Sequence, residues 1–552
     1  MQNQNDDKSK TINGPISINY SKAGVSASRN YELMVVACDP RKLENVCDFN
    51  AKELSIFKQL KNFTFHTTLM TVRIPVPGHQ THGVIFAPYQ LEKMKGYVYG
   101  FRNETAKTFG LKTANQMPVN LVTVYQLLGP EKEPYTPEQF AAILKDELPT
   151  LAWWPFGTDY TIEDSVTTPY FDHFSSPDLK LGTPWEWLNL QGENKTLYVH
   201  ASTCFESALD CWGYENMLLA DGTNVRRALP QNKLAPIAII GAGVSGLLFA
   251  VKLKRLGYTN IDLLESTDRY GGKTHTIKKD GPYPMGSDQP TYCELGTCYL
   301  SPAYDAMVAD LKEYQVGNKQ IAFGDNVKRG IVTTDQLPAS FNPPLVMDYS
   351  EYVLRKAEAE LDLGSGKLDD FLAQAALFEE LLTYIFLHHH YFGGSFPMPA
   401  TPPQAFLESH ADKNFSEFLS FHGLNGMIGT LQYGYEVQGY GVLDKIPAYY
   451  GLVWINPPII EAIIADAFIQ LADDFGITIE DLLKEILKII KSKDLRELLE
   501  WIINGIDKEL PKPIPIVTAW TEGWGDIWNQ IVEKEGLNII LNAKVSSIKR
   551  MS

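Results

Sequence analysis

The sequence predicts an α/β protein built around a Rossmann-like, dinucleotide-binding unit, and three features near the middle of the chain predict it. Pro236-Ile237-Ala238-Ile239-Ile240 is a short apolar run of the kind that forms a buried strand. It enters the glycine turn Gly241-Ala242-Gly243-Val244-Ser245-Gly246 at once. Apolar residues at 247, 248, 251, 253 and 256 then follow a helical period that stops at Gly257, and residues 261–264 are a second apolar strand ending at Glu265.

Each position in this βαβ unit has a physical reason. Gly241 makes the tight turn, Gly243 lets the backbone approach a pyrophosphate, and Gly246 lets the helix pack closely on the strand. The helix N-terminus then holds the phosphates. Glu265 lies 19 residues after Gly246, where an acid accepts hydrogen bonds from a ribose 2′-hydroxyl and opposes a 2′-phosphate.

Composition sets the outer bounds. The 552 residues are 44% hydrophobic, 21% charged and 11% aromatic, as in ordinary globular proteins, and length alone predicts about three to four domains or fewer large ones. A formal charge of −17 disfavours nucleic acid as a partner. Six scattered cysteines form no CxxC pair, so neither a zinc site nor a disulfide scaffold is expected, and a reducing cytoplasm fits. The first ten residues carry no apolar h-region, and no run reaches about 18 apolar residues. The expectation is a cytoplasmic protein without stable membrane insertion; the sequence leaves its oligomeric state open.

Directly after Glu265 come Arg269-Tyr270-Gly271-Gly272-Lys273, and further on Tyr292-Cys293-Glu294-Leu295-Gly296-Thr297. The Gly-Gly pair with flanking bases resembles the second phosphate turn of FAD enzymes with a glutathione-reductase-like or amine-oxidase-like fold. The Glu294-Leu295-Gly296 triplet is similar to the E-x-G segment that runs beside the isoalloxazine ring in that superfamily. The cofactor this resemblance implies is FAD.

The flavin amine oxidase family opens with such a βαβ unit, whereas here about 230 residues precede it. Segments that resemble the family's first half close the chain: Trp520-Thr521-Glu522-Gly523-Trp524-Gly525 before a helix, then residues 541–550, whose Val545 matches the adenine-contacting valine. Segments that resemble its second half come first, at 16–20, 31–40, 65–69, 170–175 and 190–198, with a helix expected from about Phe205 to Ala220. The chain therefore resembles a circular permutant. Family C-terminal segments occupy 11–220, a polar linker 221–234, the FAD-binding βαβ unit 235–300, a mostly helical substrate part 301–515, and the return to the FAD domain 516–552. Permutation is sensible where an exposed turn is broken and the old termini lie close together. Two unrelated domains are the rival reading.

Within the superfamily the resemblance is closest to FAD-dependent polyunsaturated fatty acid double-bond isomerases, then to amine and amino acid oxidases. It implies a small-molecule or lipid substrate and an apolar pocket, to which Tyr391-Phe392-Gly393-Gly394 and Tyr433-Gly434-Tyr435 are candidates to contribute. The helix near Phe205 is expected to point its N-terminus at the flavin pyrimidine. The chain departs from the family at His200 and Ala201: Ala201 has no side chain to bond the ribityl group, and His200 is the candidate substitute. No residue is assigned as catalytic acid or base. A flavin-free binding protein on the same scaffold is the reading from another class.

Residues 459–512 read as an inserted helical pair closed by Pro511 and Pro513. His388-His389-His390 lack acidic or cysteine co-ligands, so no metal site is expected. Ser207 and Ser245 lack a GxSxG setting, which excludes a hydrolase reading.

Overall fold

The five-stranded parallel sheet of the protein takes strands from far-separated stretches of chain, in the order Asn538–Ile540, Ile261–Leu264, Ile237–Ile240, Leu33–Val36, Thr196–Tyr198. This is a computed structural model, and it describes residues 14–550 apart from 23, 75–81, 323–326, 334–341, 343, 394–400 and 506–516. Gly394, Pro511, Pro513 and the first ten residues lie outside the described residues. Two compact units are present: Met1–Leu60 with Leu181–Lys273 and Ile527–Ser552, and Lys61–Lys180 with Thr274–Asp526. Each of the expected segments 11–220 and 235–300 is thus divided between them.

In the first unit, Ile237–Ile240 pairs in parallel with Ile261–Leu264 on one side and Leu33–Val36 on the other. All twelve residues of these strands are buried, as expected of strands covered on both faces. Full burial of an aliphatic side chain such as Ile237 or Val35 contributes about 1.5–3 kcal/mol. The expected helix follows as Val244–Arg255, and its buried Lys252 donates to Glu215 at 2.9 Å on the neighbouring helix Ala208–Leu219.

A second sheet joins Ile16–Lys22 to Val25–Tyr31 and to Ala543–Arg550, both antiparallel, with Ile16 opposite Arg550. One ion cluster fastens it. Arg550 donates to Glu53 at 2.6 and 2.9 Å and to Asp48 at 2.9 Å, and the Glu53 and Arg550 side chains are each only 1% exposed. Glu53 also accepts from the Asn50 N–H in a capping box and from the Tyr198 hydroxyl, so strand, helix and sheet meet on one carboxylate.

The second unit contains a seven-stranded, largely antiparallel sheet and a helical layer. Residues 65–69 and 170–173 of the expected strands lie in its adjacent strands Lys61–Arg73 and Tyr160–His173. The expected helical insertion is present as Ile479–Ile489 and Lys493–Asn504, preceded by the longer helix Pro457–Phe475. Helix Lys367–Phe392 is, by length and composition, apolar enough to cross a membrane, with half of the qualifying window buried inside the protein. The Phe371–Phe475 and Phe378–Phe468 ring pairs, at 5.8 and 5.4 Å, set this helix antiparallel to Pro457–Phe475.

Arg550→Met strands the buried Glu53 carboxylate. Loss of one partner from a buried pair costs about 3–5 kcal/mol. Urea unfolding is expected to show that loss; a change within the roughly 1 kcal/mol of a surface pair would contradict this role for the cluster.

Candidate functional site

The first unit carries a backbone cradle made of glycine. Gly241, Gly271 and Gly272 have φ of +104°, +95° and +60°. Gly243 bridges Gly271 in a single parallel β-bridge, and the Gly271 N–H donates to the Ala242 carbonyl at 2.9 Å. A Cβ on Gly272 would stand 2.9 Å from the Gly243 Cα, and one on Gly246 2.1 Å from the Gly241 carbonyl oxygen. The two turns touch because neither carries a side chain. Helix Val244–Arg255 starts here with Gly243 at its N-cap and no side-chain cap, leaving the first-turn N–H groups and the positive end of the dipole for an anion.

Glu265 accepts from the Ala242 N–H at 3.0 Å on Oε2 and from the Thr267 N–H and hydroxyl at 2.9 Å on Oε1, so it locks the first turn; Oε2 retains capacity for a further bond. The Arg269 carbonyl accepts from the Thr267 hydroxyl at 3.0 Å. Lys273 pairs with Glu206 at 2.8 Å. Val545 is half-buried in the closing strand opposite Tyr20.

Around Phe205 the structure differs from expectation. Phe205 is buried, but the helix begins at Ala208, because the Ser207 hydroxyl accepts from the Asp210 N–H at 2.9 Å and caps it there. Asp210 itself occupies the first turn, where burial pushes its carboxyl up to about 7. His200 caps the short 3₁₀ turn Ala201–Thr203, its Nδ1 accepting from the Ser202 N–H at 3.2 Å, and Ala201 is buried in that turn.

In the second unit, Glu294 ends the strand Thr291–Glu294 and is 2% exposed. It accepts from the Trp524 N–H and from the Thr276 hydroxyl, both at 2.8 Å. Burial pushes its carboxyl up to about 7, opposed by the cations Lys107 and Arg102. Those cations hold the segment by its backbone: Arg102 donates to the Glu294 carbonyl and Lys107 to the Tyr292 carbonyl, each at 2.6 Å, while the Thr67 hydroxyl donates to the Leu295 carbonyl at 2.7 Å. Half-buried Gly296 follows. Burial opposes charge on Glu104, yet Arg102 and Lys107 hold its carboxyl below the ordinary range.

The second unit also contains a cavity of about 730 Å³. Its lining includes Tyr299, Arg329, Tyr349 and Tyr433 as well as Lys367, Asp370 and Asp474. The Arg329 guanidinium lies 5.5 Å from the Tyr349 ring centre and 5.7 Å from that of Tyr433, and it has no carboxylate partner among the described residues. Three lining oxygens, Ser301 Oγ, Thr430 Oγ1 and the Tyr433 hydroxyl, are buried without a hydrogen-bond partner there. Of the expected aromatic segments, Tyr433 and Gly434 line this cavity. Tyr391 instead bonds His410 at 2.7 Å, Phe392 packs on Phe406, and Tyr435 lies among Phe171, Phe415 and Tyr440. Arg102, Lys107 and Arg329 were not legible as site residues, since the partners named here lie 20 to 192 residues away in sequence, Glu104 excepted.

A family model described as flavin containing amine oxidoreductase matches residues 244–552. The chain belongs to this family, whose members are FAD-dependent, and the glycine cradle fits that cofactor's pyrophosphate. Among characterised proteins, the chain is similar to a polyenoic fatty acid isomerase of Ptilota filicina, 24% identical over 221 residues, which is 40% of this chain and 41% of the relative. It is also similar to flavin-containing amine oxidase A of Equus caballus, 25% identical over 119 residues, 21% of either protein. The matches thus span less than half of these relatives' lengths. A solved structure of a fatty acid isomerase from P. acnes aligns over 37% of this chain and 46% of that one at 17% identity, with a TM-score of 0.29.

Gly272→Ala introduces a methyl against the Gly243 backbone at a positive φ. The FAD dissociation constant, followed by flavin fluorescence, is expected to rise about tenfold or more, equivalent to about 1.4 kcal/mol. Unchanged affinity would contradict the cradle.

Proposed function

We propose that the protein is an FAD-dependent double-bond isomerase of polyunsaturated fatty acids or similar lipids. In the first unit, Gly241, Gly243, Gly246, Gly271 and Gly272 take the pyrophosphate, Glu265 the adenosine ribose, and Val545 the adenine; Arg269 and Lys273 add positive charge beside the second turn. In the second unit, the Glu294-Leu295-Gly296 segment is kept in register by the backbone bonds from Arg102, Lys107 and Thr67. When bound, FAD supplies reversible hydride acceptance, which suffices to move a double bond without net oxidation.

The observation that carries the substrate reading is Arg329 in the cavity lining. A guanidinium without a carboxylate partner beside an unpartnered tyrosine hydroxyl attracts an organic acid and repels the ammonium group of an amine. The apolar wall formed by Leu377, Leu381, Ile459 and Ile463 accommodates a hydrocarbon chain and excludes water. The similarity to a polyenoic fatty acid isomerase supports the same reading.

We also infer that the family's two halves stand in permuted order. This is supported by the strands Leu33–Val36 and Thr196–Tyr198, which precede the βαβ unit in sequence yet continue its parallel sheet.

The FAD-loaded protein is expected to convert polyunsaturated fatty acids to products with conjugated-diene or triene absorbance without oxygen uptake. Arg329→Met should weaken binding of the free acid about 10- to 100-fold, the value of one charge-assisted hydrogen bond, and leave the methyl ester unaffected. Hydrogen peroxide release with amines and none of this absorbance would establish the oxidase instead. A colourless protein that refuses FAD would leave the binding-protein reading.

A further inference from the structure

Three helices of the second unit end at one place. Tyr391 lies in the last turn of Lys367–Phe392, His410 is the last residue of Gln404–His410, and His422 is the C-cap of Phe415–Phe421. Helix C-termini carry partial negative charge and favour a cation. The three side chains converge there: His410 Nε2 lies 2.7 Å from the Tyr391 hydroxyl and 3.3 Å from His422 Nε2. Donors 12 and 19 residues apart form no recognisable sequence motif.

A ring nitrogen carries either one proton or one lone pair, yet two groups address His410 Nε2. A proton from Tyr391 takes its lone pair and leaves none for His422; a proton on His410 Nε2 is divided between two acceptors. A cation held between the two nitrogens satisfies both lone pairs at once. Nothing among the described residues ties down His410 Nδ1, so that atom can carry the ring proton while Nε2 presents its lone pair.

The geometry matches a shared ion. Two imidazoles on one tetrahedral metal at about 2.0–2.1 Å hold their nitrogens about 3.3–3.4 Å apart and their ring centres roughly 5 Å apart. Here the nitrogens are 3.3 Å apart and the ring centres 5.0 Å. A head-on N–H···N bond of that length would hold the rings farther apart. Both imidazoles are neutral near pH 7, as metal ligands must be. Burial, with the neighbouring His422 and Lys413, pushes His410 down to about 4, and burial and Lys413 also lower His422. Lys413 opposes a cation, but it pairs with Asp412 at 3.7 Å and lies 5.1 Å from the Phe421 ring centre. His410 is 2% and Phe421 66% exposed, with ring centres 5.3 Å apart, so the cluster reaches from the interior to the surface. Among the described residues no three His, Cys, Asp or Glu side chains are grouped for a metal ion, so the third protein donor here is a phenol oxygen.

We propose that His410 and His422 bind a zinc-like divalent transition-metal ion through Nε2, with the Tyr391 oxygen as third protein ligand and water completing the tetrahedron. Imidazole suits zinc, nickel and copper, whereas magnesium and calcium take oxygen ligands. The ion ties three helix ends together as a structural clasp, independently of the fatty-acid reading. His388 takes no part, since its Nε2 bonds the Leu452 carbonyl at 3.1 Å.

The test is isothermal titration calorimetry of the untagged, FAD-loaded protein with zinc chloride and, separately, magnesium chloride. Zinc is expected to bind at one site with a dissociation constant of about 100 µM or tighter, and magnesium not to compete. His422→Asn should weaken zinc binding about tenfold or more, and Tyr391→Phe about three- to tenfold. H389N/H390N, which removes the exposed imidazoles of the neighbouring tract, should leave the affinity within about twofold. Because replacing a ring can disturb packing, thermal unfolding supplies a second readout: saturating zinc should raise the midpoint of the wild type and not that of His422→Asn. No zinc binding by the wild type at about 1 mM, unchanged affinity in His422→Asn, or binding lost in H389N/H390N would each overturn the proposal.

Discussion

The parallel pairing of Leu33–Val36 with Ile237–Ile240 is the constraint on which the rest of the first unit depends. Parallel strands need a crossover connection, and here about 200 residues of chain lie between the two partners. Closing so long a loop adds an entropic cost that grows only slowly with length, so burial of the strand side chains on both faces can offset it. Once that pair forms, the Gly241 turn is fixed between Ala37 and the start of helix Val244–Arg255; a Cβ on Gly241 would stand 3.1 Å from the Ala37 carbonyl oxygen. The phosphate cradle is therefore a product of the non-local pairing as much as of the glycine motif.

Buried charge is placed where distant segments must keep register. Arg550, Glu53 and Asp48 fasten the closing strand to a helix some 500 residues earlier. Arg102, Glu104 and Lys107 do the same for the Glu294 strand in the second unit. Such clusters are costly to desolvate and add little net stability relative to a well-packed apolar core. Their geometry is directional, though, and a one-residue slip would leave buried charges unpaired, so they specify one register among several that apolar packing alone would tolerate.

Much of this was legible in local sequence, because local physics decides it. The run from 236 to 265 reads as strand, turn, helix and strand since its glycines and apolar period leave few alternatives, and the helices Ile479–Ile489 and Lys493–Asn504 were visible from periodicity. The start of the helix after Phe205 was misplaced by three residues because the Ser207 cap decides it. The cavity was mostly illegible. Arg329, on a short strand, gains meaning only from Tyr349 and Tyr433, some 20 and 104 residues onward, and Arg102 from the carbonyl of Glu294. Aromatic clusters misled in part: Tyr391, Phe392 and Tyr435 were candidates for a pocket and pack elsewhere in the second unit, since ring packing leaves the same mark on a sequence as ring-lined binding.

The central claim is that chain order is incidental to the dinucleotide cradle, which needs only that these strands pair. Ile16 sits opposite Arg550, so a short hairpin turn can join those strands. The direct test is a rearranged protein in which residues 235–550 precede residues 14–220, with FAD affinity and the visible flavin spectrum compared with those of the parent chain. The account predicts the same spectrum and a dissociation constant within about threefold, under 1 kcal/mol. A rearranged chain that unfolds cooperatively yet retains no FAD, beside a parent that does, would contradict it.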